Sequence, residues 1–256
     1  EQAQIRICVL LLPHISNHTD FDPLRLHPNV DLTYIKIFDP LPPCDLVILP
    51  GSKNVSGDLA LLKEHDWRAK LQRHLRYGGK LMGICGGFQM LGQGIRDPHG
   101  IESERQEIAG FGFAEFDTEL TPTKTLSRIT GECLFGRPTA KQTTRQTIAF
   151  SGYEIHCGES QGPALLTPAV RLKVGEDWQA DGFISEDNQL LGTYVHGLFD
   201  TPLACQAVLD WALPSNTIHA EFDLNRHREQ QLDRLADTLR GHLDIEKINQ
   251  IIGINA

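Results

Sequence analysis

The stretch Leu81–Gly92, LMGICGGFQMLG, carries the most reactive chemistry in this chain. A β-rich run, Lys80–Ile84, delivers Cys85 into a turn with Gly83 before it and Gly86-Gly87 after it. A helix-compatible segment begins near Gly86. Strand, tight turn and helix in that order can hold a nucleophile on a strained bend. The flanking residues must be small, because the backbone there packs closely. A thiol beside a helix N-terminus meets partial positive charge and free N–H groups, which lowers its pKa from about 8.5. The N–H of Gly86 is placed to donate to an oxyanion formed on attack. A small buried cysteine at a strand end is the plain alternative, and the paired glycines favour the functional reading.

A thiol nucleophile wants a base. Of the 11 histidines, His196 stands apart because it closes a strand-like run, Gln189–His196 (QLLGTYVH), and is followed by Gly197. Carboxyl ends of parallel strands collect along one sheet edge, the usual place for a site. Cys85 lies at such an end as well, so the two can meet despite their distance in sequence. The remaining cysteines, Cys8, Cys44, Cys133, Cys157 and Cys205, read as buried or incidental thiols. They are widely spaced, form no C-x-x-C and no zinc-like Cys/His cluster, and the chain is large enough to need no disulfide staples. No metal site is expected.

The elements that must position these residues alternate through the first hundred positions. Ile5–Leu12 reads as a strand covered on both faces, Asp31–Ile37 alternates, and Asp45–Pro50 is a short buried strand ending at Gly51-Ser52. Ser56 looks like an N-cap for a helix through Leu62, and Trp67, Leu71 and Leu75 recur at helical spacing before Gly78-Gly79. From Phe111 to Cys157 the texture turns Thr-rich (TPTKT, QTTRQT), which predicts two or more antiparallel strands and loops appended to the sheet. Leu203–Leu213 and Leu224–Leu243 carry helical spacing, with Leu232, Leu235, Leu239 and Leu243 on one face. One domain over 1–256 is expected, with a core over 5–205 and a helical extension over 206–256.

Composition narrows the function classes. Against 24 Lys and Arg stand 33 Asp and Glu, a formal charge of −9, which disfavours nucleic acid and anionic membrane surfaces as partners. The longest apolar run is Ile7–Leu12, far short of the roughly 18 to 20 residues of a spanning helix. No signal-like segment opens the chain, so a cytoplasmic location is expected. The start at Glu1 rather than Met suggests a piece of a longer protein or a processed start.

With GTYVHGLFD (192–200) far downstream, GICGGFQMLG (83–92) resembles the triad-type, class I glutamine amidotransferases. In that family Cys and His hydrolyse glutamine to release ammonia. ISNHTDFDPL (15–24), LPGSKNVSGDL (49–59), DPHGIES (97–103), GYEIHCG (152–158) and DRLADTLRGHLD (233–244) place the resemblance in the branch of the cobyric and cobyrinic acid enzymes of cobalamin synthesis. The resemblance implies Cys85 as nucleophile, His196 as general base, and backbone N–H groups of Gly51 and Gly86 as oxyanion donors. It places Gln89 against bound glutamine and Tyr153, Glu154 and His156 along the site. It implies a flavodoxin-like α/β fold: an open, mostly parallel sheet with appended antiparallel strands and C-terminal helices.

One departure matters. The wider family carries Glu two residues after the His, and here that position is Leu198. This implies a dyad, with Asp200 and Glu154 as possible substitutes for the missing orienting group. No G-x-x-x-x-G-K-[ST] loop is present and GSKNVSG does not qualify. The domain is therefore expected to bind no cofactor. ATP and Mg, and with them the corrinoid substrate, are implied for an ATP-dependent synthetase partner domain in the same full-length chain. The rival readings are a glutaminase subunit of a cell-wall lipid-precursor amidating enzyme, a cysteine hydrolase or peptidase on the same fold, and a non-catalytic binding module.

Overall fold

A computed structural model of the chain describes residues 5–102, 106–135, 147–213 and 222–253. The QTTRQT segment that helped mark the change of texture lies almost entirely outside them. The elements run β1 (Ile5–Leu11), α1 (Asp22–Leu26), β2 (Val30–Lys36), β3 (Leu46–Leu49), α2 (Val55–Glu64), α3 (Trp67–Arg76), β4 (Lys80–Ile84) and α4 (Gly86–Leu91). Then come β5 (Gly94–Arg96), β6 (Glu107–Ala109), β7 (Asp117–Cys133), β8 (Ile148–Gln161), β9 (Val170–Val174), β10 (Asp177–Asp181), β11 (Phe183–Ile184) and β12 (Leu190–Thr193). Helices α5 (Pro202–Ala212), α6 (Leu224–His242) and α7 (Ile245–Ile252) follow.

The first sheet has the strand order β2-β1-β3-β4-β12-β11. Every neighbouring pair is parallel except β11 with β12. Up to β12 this is the flavodoxin-type order, which reverses direction between β1 and β3. The sequence explains the layering. Every residue of β3 and β4 is buried, as expected of strands covered on both faces. Trp67 and Leu71 are the buried positions of α3, and the chain leaves that helix through Gly78 at φ +86°. Helix α2 is capped by Asn54, whose side chain accepts the N–H of Gly57. Ser56, the expected cap, is instead a buried residue of the first turn.

The Thr-rich region does form antiparallel strands, but they build a second sheet, β10-β9-β7-β5-β6 with β8 on β7, rather than an extension of the first. Long strands β7 and β8 pair along most of their length, with a register shift between Leu120 and Thr125. The run expected to be a strand through His196 stops at Thr193. Beyond it the backbone leaves the parallel sheet, and His196 makes an isolated bridge to Tyr153 of β8. His196 therefore stands where the two sheets meet.

The chain divides into two compact units, Glu1–Phe222 and Asp223–Ala256. Helix α5 is interior to the first unit, with Ala207, Val208, Leu209 and Trp211 buried. In the second unit α6 and α7 start at Asp223 and Asp244, whose carboxylates accept backbone N–H groups of the first turn. The leucine face predicted for α6 exists as a stripe, but Leu232, Leu235, Leu239 and Leu243 are exposed. Among the described residues no helix is long and apolar enough to cross a membrane.

Candidate active site

Four neighbouring parallel strands, β1, β3, β4 and β12, each send a functional residue past their carboxyl ends. From β4 the chain enters Cys85 at φ +52°, ψ −112°, a conformation that costs an L-residue energy and persists only where the surroundings enforce it. They do so by close approach. A Cβ on Gly87 would lie 2.0 Å from the Leu49 carbonyl oxygen, and one on Gly83 would lie 2.7 Å from backbone atoms of Gly87 and Phe88. Both positions exclude any side chain, which accounts for the glycines around the cysteine. The Cys85 N–H donates to the Thr193 carbonyl at 2.9 Å, tying the end of β4 to the end of β12 just ahead of His196.

Gly51, past the end of β3, measures how tightly the parts converge. A Cβ there would sit 3.3 Å from His196 Cε1, 3.7 Å from Cys85 Cβ and 2.6 Å from Ser16 Oγ. The segment after β1 closes the site: Ser16 N–H donates to Gly51 O at 2.9 Å, and Ile15 bridges Ser52. Ser52 Oγ in turn donates to Asp58 Oδ2 at 2.6 Å, which pins the loop to α2.

That same segment supplies a residue that sequence reasoning missed. His196 Nδ1 lies 2.6 Å from Asp20 Oδ2, and both side chains are buried. Asn17 Nδ2 is 3.3 Å from His196 Nε2. A carboxylate on Nδ1 holds the proton there and leaves Nε2 as the basic nitrogen, the service a third group performs in hydrolytic triads. The carboxylate on the His196 ring is thus Asp20, not Asp200 or Glu154, a triad-like arrangement where two residues were expected. Glu154 approaches His156 Nε2 at 3.5 Å instead. Asp20 was present in the quoted ISNHTDFDPL motif. The available signal was its place beyond the end of a buried parallel strand, where an acid is drawn to the shared edge.

Tyr153 completes the setting of the base. Its ring lies on the His196 ring at 5.2 Å between centroids and 16° between planes, and its hydroxyl donates to Asp20 Oδ1 at 3.3 Å. Glu154 and His156, grouped with it on sequence grounds, line a cavity of about 550 Å³ with Asp181 and Tyr194, on either side of Ile155, whose carbonyl oxygen is 3.6 Å from Cys85 Sγ. Gln89 is buried, and its Nε2 donates to the Tyr194 hydroxyl at 3.2 Å.

The thiol does not titrate as the sequence suggested. Burial pushes Cys85 up to about 12, with the carboxylates of Glu102, Asp20 and Asp181 adding to it, while the Gly86 N–H on the sulfur opposes it. A short helix terminus is outweighed once the sulfur is stripped of water and faces acids. At rest Cys85 Sγ is 3.6 Å from the Ile155 carbonyl oxygen. A buried thiol held above its ordinary range needs a base to take its proton before it can attack. Among the described residues no group of three His, Cys, Asp or Glu side chains is placed to hold a metal ion.

A flavodoxin-type sheet thus carries a cysteine, a carboxylate-held histidine and a glycine loop on one edge. The chain belongs to the CobB/CobQ-like glutamine amidotransferase domain family, whose model matches residues 6–203. Solved structures agree on the fold. A chain of PurLQS from Thermotoga maritima superposes with a TM-score of 0.61 at 16% identity, covering 81% of this chain and 99% of that one. A putative GMP synthase protein from Thermoplasma acidophilum gives 0.52 at 14%, covering 83% and 94%. A structure described only as a glutamine amidotransferase gives 0.56 at 15%, covering 80% and 98%.

Proposed function

We propose that Cys85 and His196 hydrolyse glutamine. The observation that carries this reading is the assembly of Cys85, His196, Asp20 and Gly51 on adjacent strand ends. His196 Nε2 takes the thiol proton as Sγ bonds to the glutamine δ-carbon. The oxyanion lies against the N–H groups of Gly51 and Gly86. His196 returns the proton to the amide nitrogen, the C–N bond breaks, and ammonia leaves a γ-glutamyl thioester. Water, deprotonated by His196, then adds to the thioester carbon. Collapse expels the thiolate, which is reprotonated, and frees glutamate.

In this reading the chain is the glutaminase domain of cobyric acid synthase. The ammonia amidates the b, d, e and g carboxylates of adenosylcobyrinic acid a,c-diamide, activated by ATP in a synthetase partner. The CobB/CobQ-like family description and the ISNHTDFDPL and GSKN segments support that branch. Treatment with a diazoketone analogue of glutamine, followed by peptide mass mapping, tests the chemistry. The adduct is expected on Cys85, and an adduct on any other cysteine refutes the assignment.

A further inference from the structure

The hydrogen bond from Asn17 to the His196 ring falls on the nitrogen that the proposed reaction needs. Asp20 holds the proton on Nδ1, so Nε2 carries the lone pair that must take the thiol proton. Asn17 Nδ2 lies 3.3 Å from that atom and donates to it. Cys85 Sγ meanwhile sits 3.6 Å from the Ile155 carbonyl oxygen. At rest, base and nucleophile each hold a partner other than one another.

Asn17 reaches the ring at the expense of a more ordinary role. It precedes a single 3-10 turn, His18–Phe21, where an asparagine side chain commonly turns back to accept a backbone N–H. It makes no such cap and reaches His196 instead. Its backbone is left-handed, at φ +51° and ψ +42°, a conformation that costs a residue bearing a Cβ energy. Bonds on either side hold it there: Ser16 N–H donates to Gly51 O at 2.9 Å, and Asp20 N–H donates to Asn17 O at 2.9 Å. With the backbone fixed, rotation of the half-buried side chain alone can open the bond to Nε2. We propose that Asn17 is a latch on the general base: it occupies the Nε2 lone pair at rest and must swing away before Nε2 accepts the Cys85 proton. The inference rests on His196 as the base in the reading above and deepens it. Neutral imidazole has a single accepting nitrogen, so the amide and the thiol compete for it.

The competing role is conformational, since asparagine is tolerated in a left-handed turn. Glycine is tolerated there as well, so Asn17→Gly keeps the turn and removes the amide. The readout is alkylation of Cys85 by chloroacetamide, followed by mass. In that step Sγ displaces chloride, a C–S bond forms, and the thiol proton passes to Nε2. Loss of one hydrogen bond from the resting base predicts a roughly two- to tenfold faster reaction. A second arm separates release of the base from simple unblocking of the thiol. In a His196→Gln background no imidazole remains to be released, and the acceleration should vanish. An unchanged or slower rate for Asn17→Gly overturns the latch, and so does an acceleration that persists without His196; both results leave the base assignment standing. If His196→Gln alone reacts at the parent's rate, the base assignment falls and the latch falls with it.

Discussion

Two histidines in this molecule lie flat on tyrosines, and the same two segments exchange the partners. His196, after β12, stacks on Tyr153 of β8; His156, also of β8, stacks on Tyr194, after β12. The stacks look alike, yet their ring nitrogens are used in opposite ways. His196 has a buried carboxylate on Nδ1 at 2.6 Å, which leaves Nε2 as the basic nitrogen, 3.3 Å from Asn17 Nδ2. The Nδ1 of His156 lies 2.9 Å from the Gly158 carbonyl oxygen, and its Nε2 is buried without a hydrogen bond, 3.5 Å from Glu154. A carboxylate stabilises an imidazolium that forms during turnover, whereas a neutral carbonyl fixes a ring without preparing it for charge. Burial and stacking do not by themselves make a base; the partner of the second nitrogen does.

The comparison breaks most visibly at the two rings. His196→Asn is expected to lower glutamine hydrolysis by roughly 10⁴-fold or more, because it removes the group that moves every proton. His156→Asn is expected to stay within about tenfold, since His156 touches no reacting atom in the proposed scheme. Steady-state glutaminase rates decide it, and equal losses would put the base in the wrong stack. Next in size is Asp20→Asn, which keeps the shape but accepts no longer as a carboxylate. It is expected to lower kcat by roughly 10²- to 10⁴-fold while leaving glutamine binding nearly unchanged. A loss confined to KM would mean that Asp20 serves substrate binding and not the ring.

These contrasts mark what the sequence makes legible. The nucleophile turn is local: Gly83, Cys85 and Gly87 declare a strand, a bend and a helix within a few residues, and the structure agrees on each. The strands of the parallel layer are visible too: burial on both faces writes apolar runs such as Leu46–Leu49, and the edge strand β2 shows as alternation. Asp20 is different. Its role depends on a loop that must cross the sheet edge and pair with Gly51-Ser52, and no periodicity encodes that pairing. His196 stands apart in the sequence as the end of a strand-like run, but the turn of the backbone between Thr193 and His196 that carries it to Tyr153 is not written there. The raised pKa of Cys85 is hidden for the same reason, since burial and three distant acids set it, not its neighbours in the chain.

The second stack offers a smaller and sharper test, one of stability and not of rate. Burial pushes the Asp181 carboxyl up from 3.8 to about 6, against the opposing bonds from the Thr193 hydroxyl and the Tyr194 N–H, with the Glu154 charge adding to the rise. The folded chain therefore holds this proton more tightly than the unfolded chain does. Its contribution is fully present below the unfolded value near 3.8 and is lost as pH rises through about 6. A gap of that size corresponds to roughly 3 kcal/mol. Asp181→Asn keeps an oxygen for both donors and stays neutral. Relative to the parent it should gain stability as pH rises from 4 to 7, by up to roughly 3 kcal/mol, in urea unfolding followed across that range. At the His196 stack Asp20→Asn instead removes the carboxylate that holds the ring. If the two variants changed the pH profile in the same direction, Asp181 and Asp20 would be doing the same job, and the distinction between the stacks would not hold.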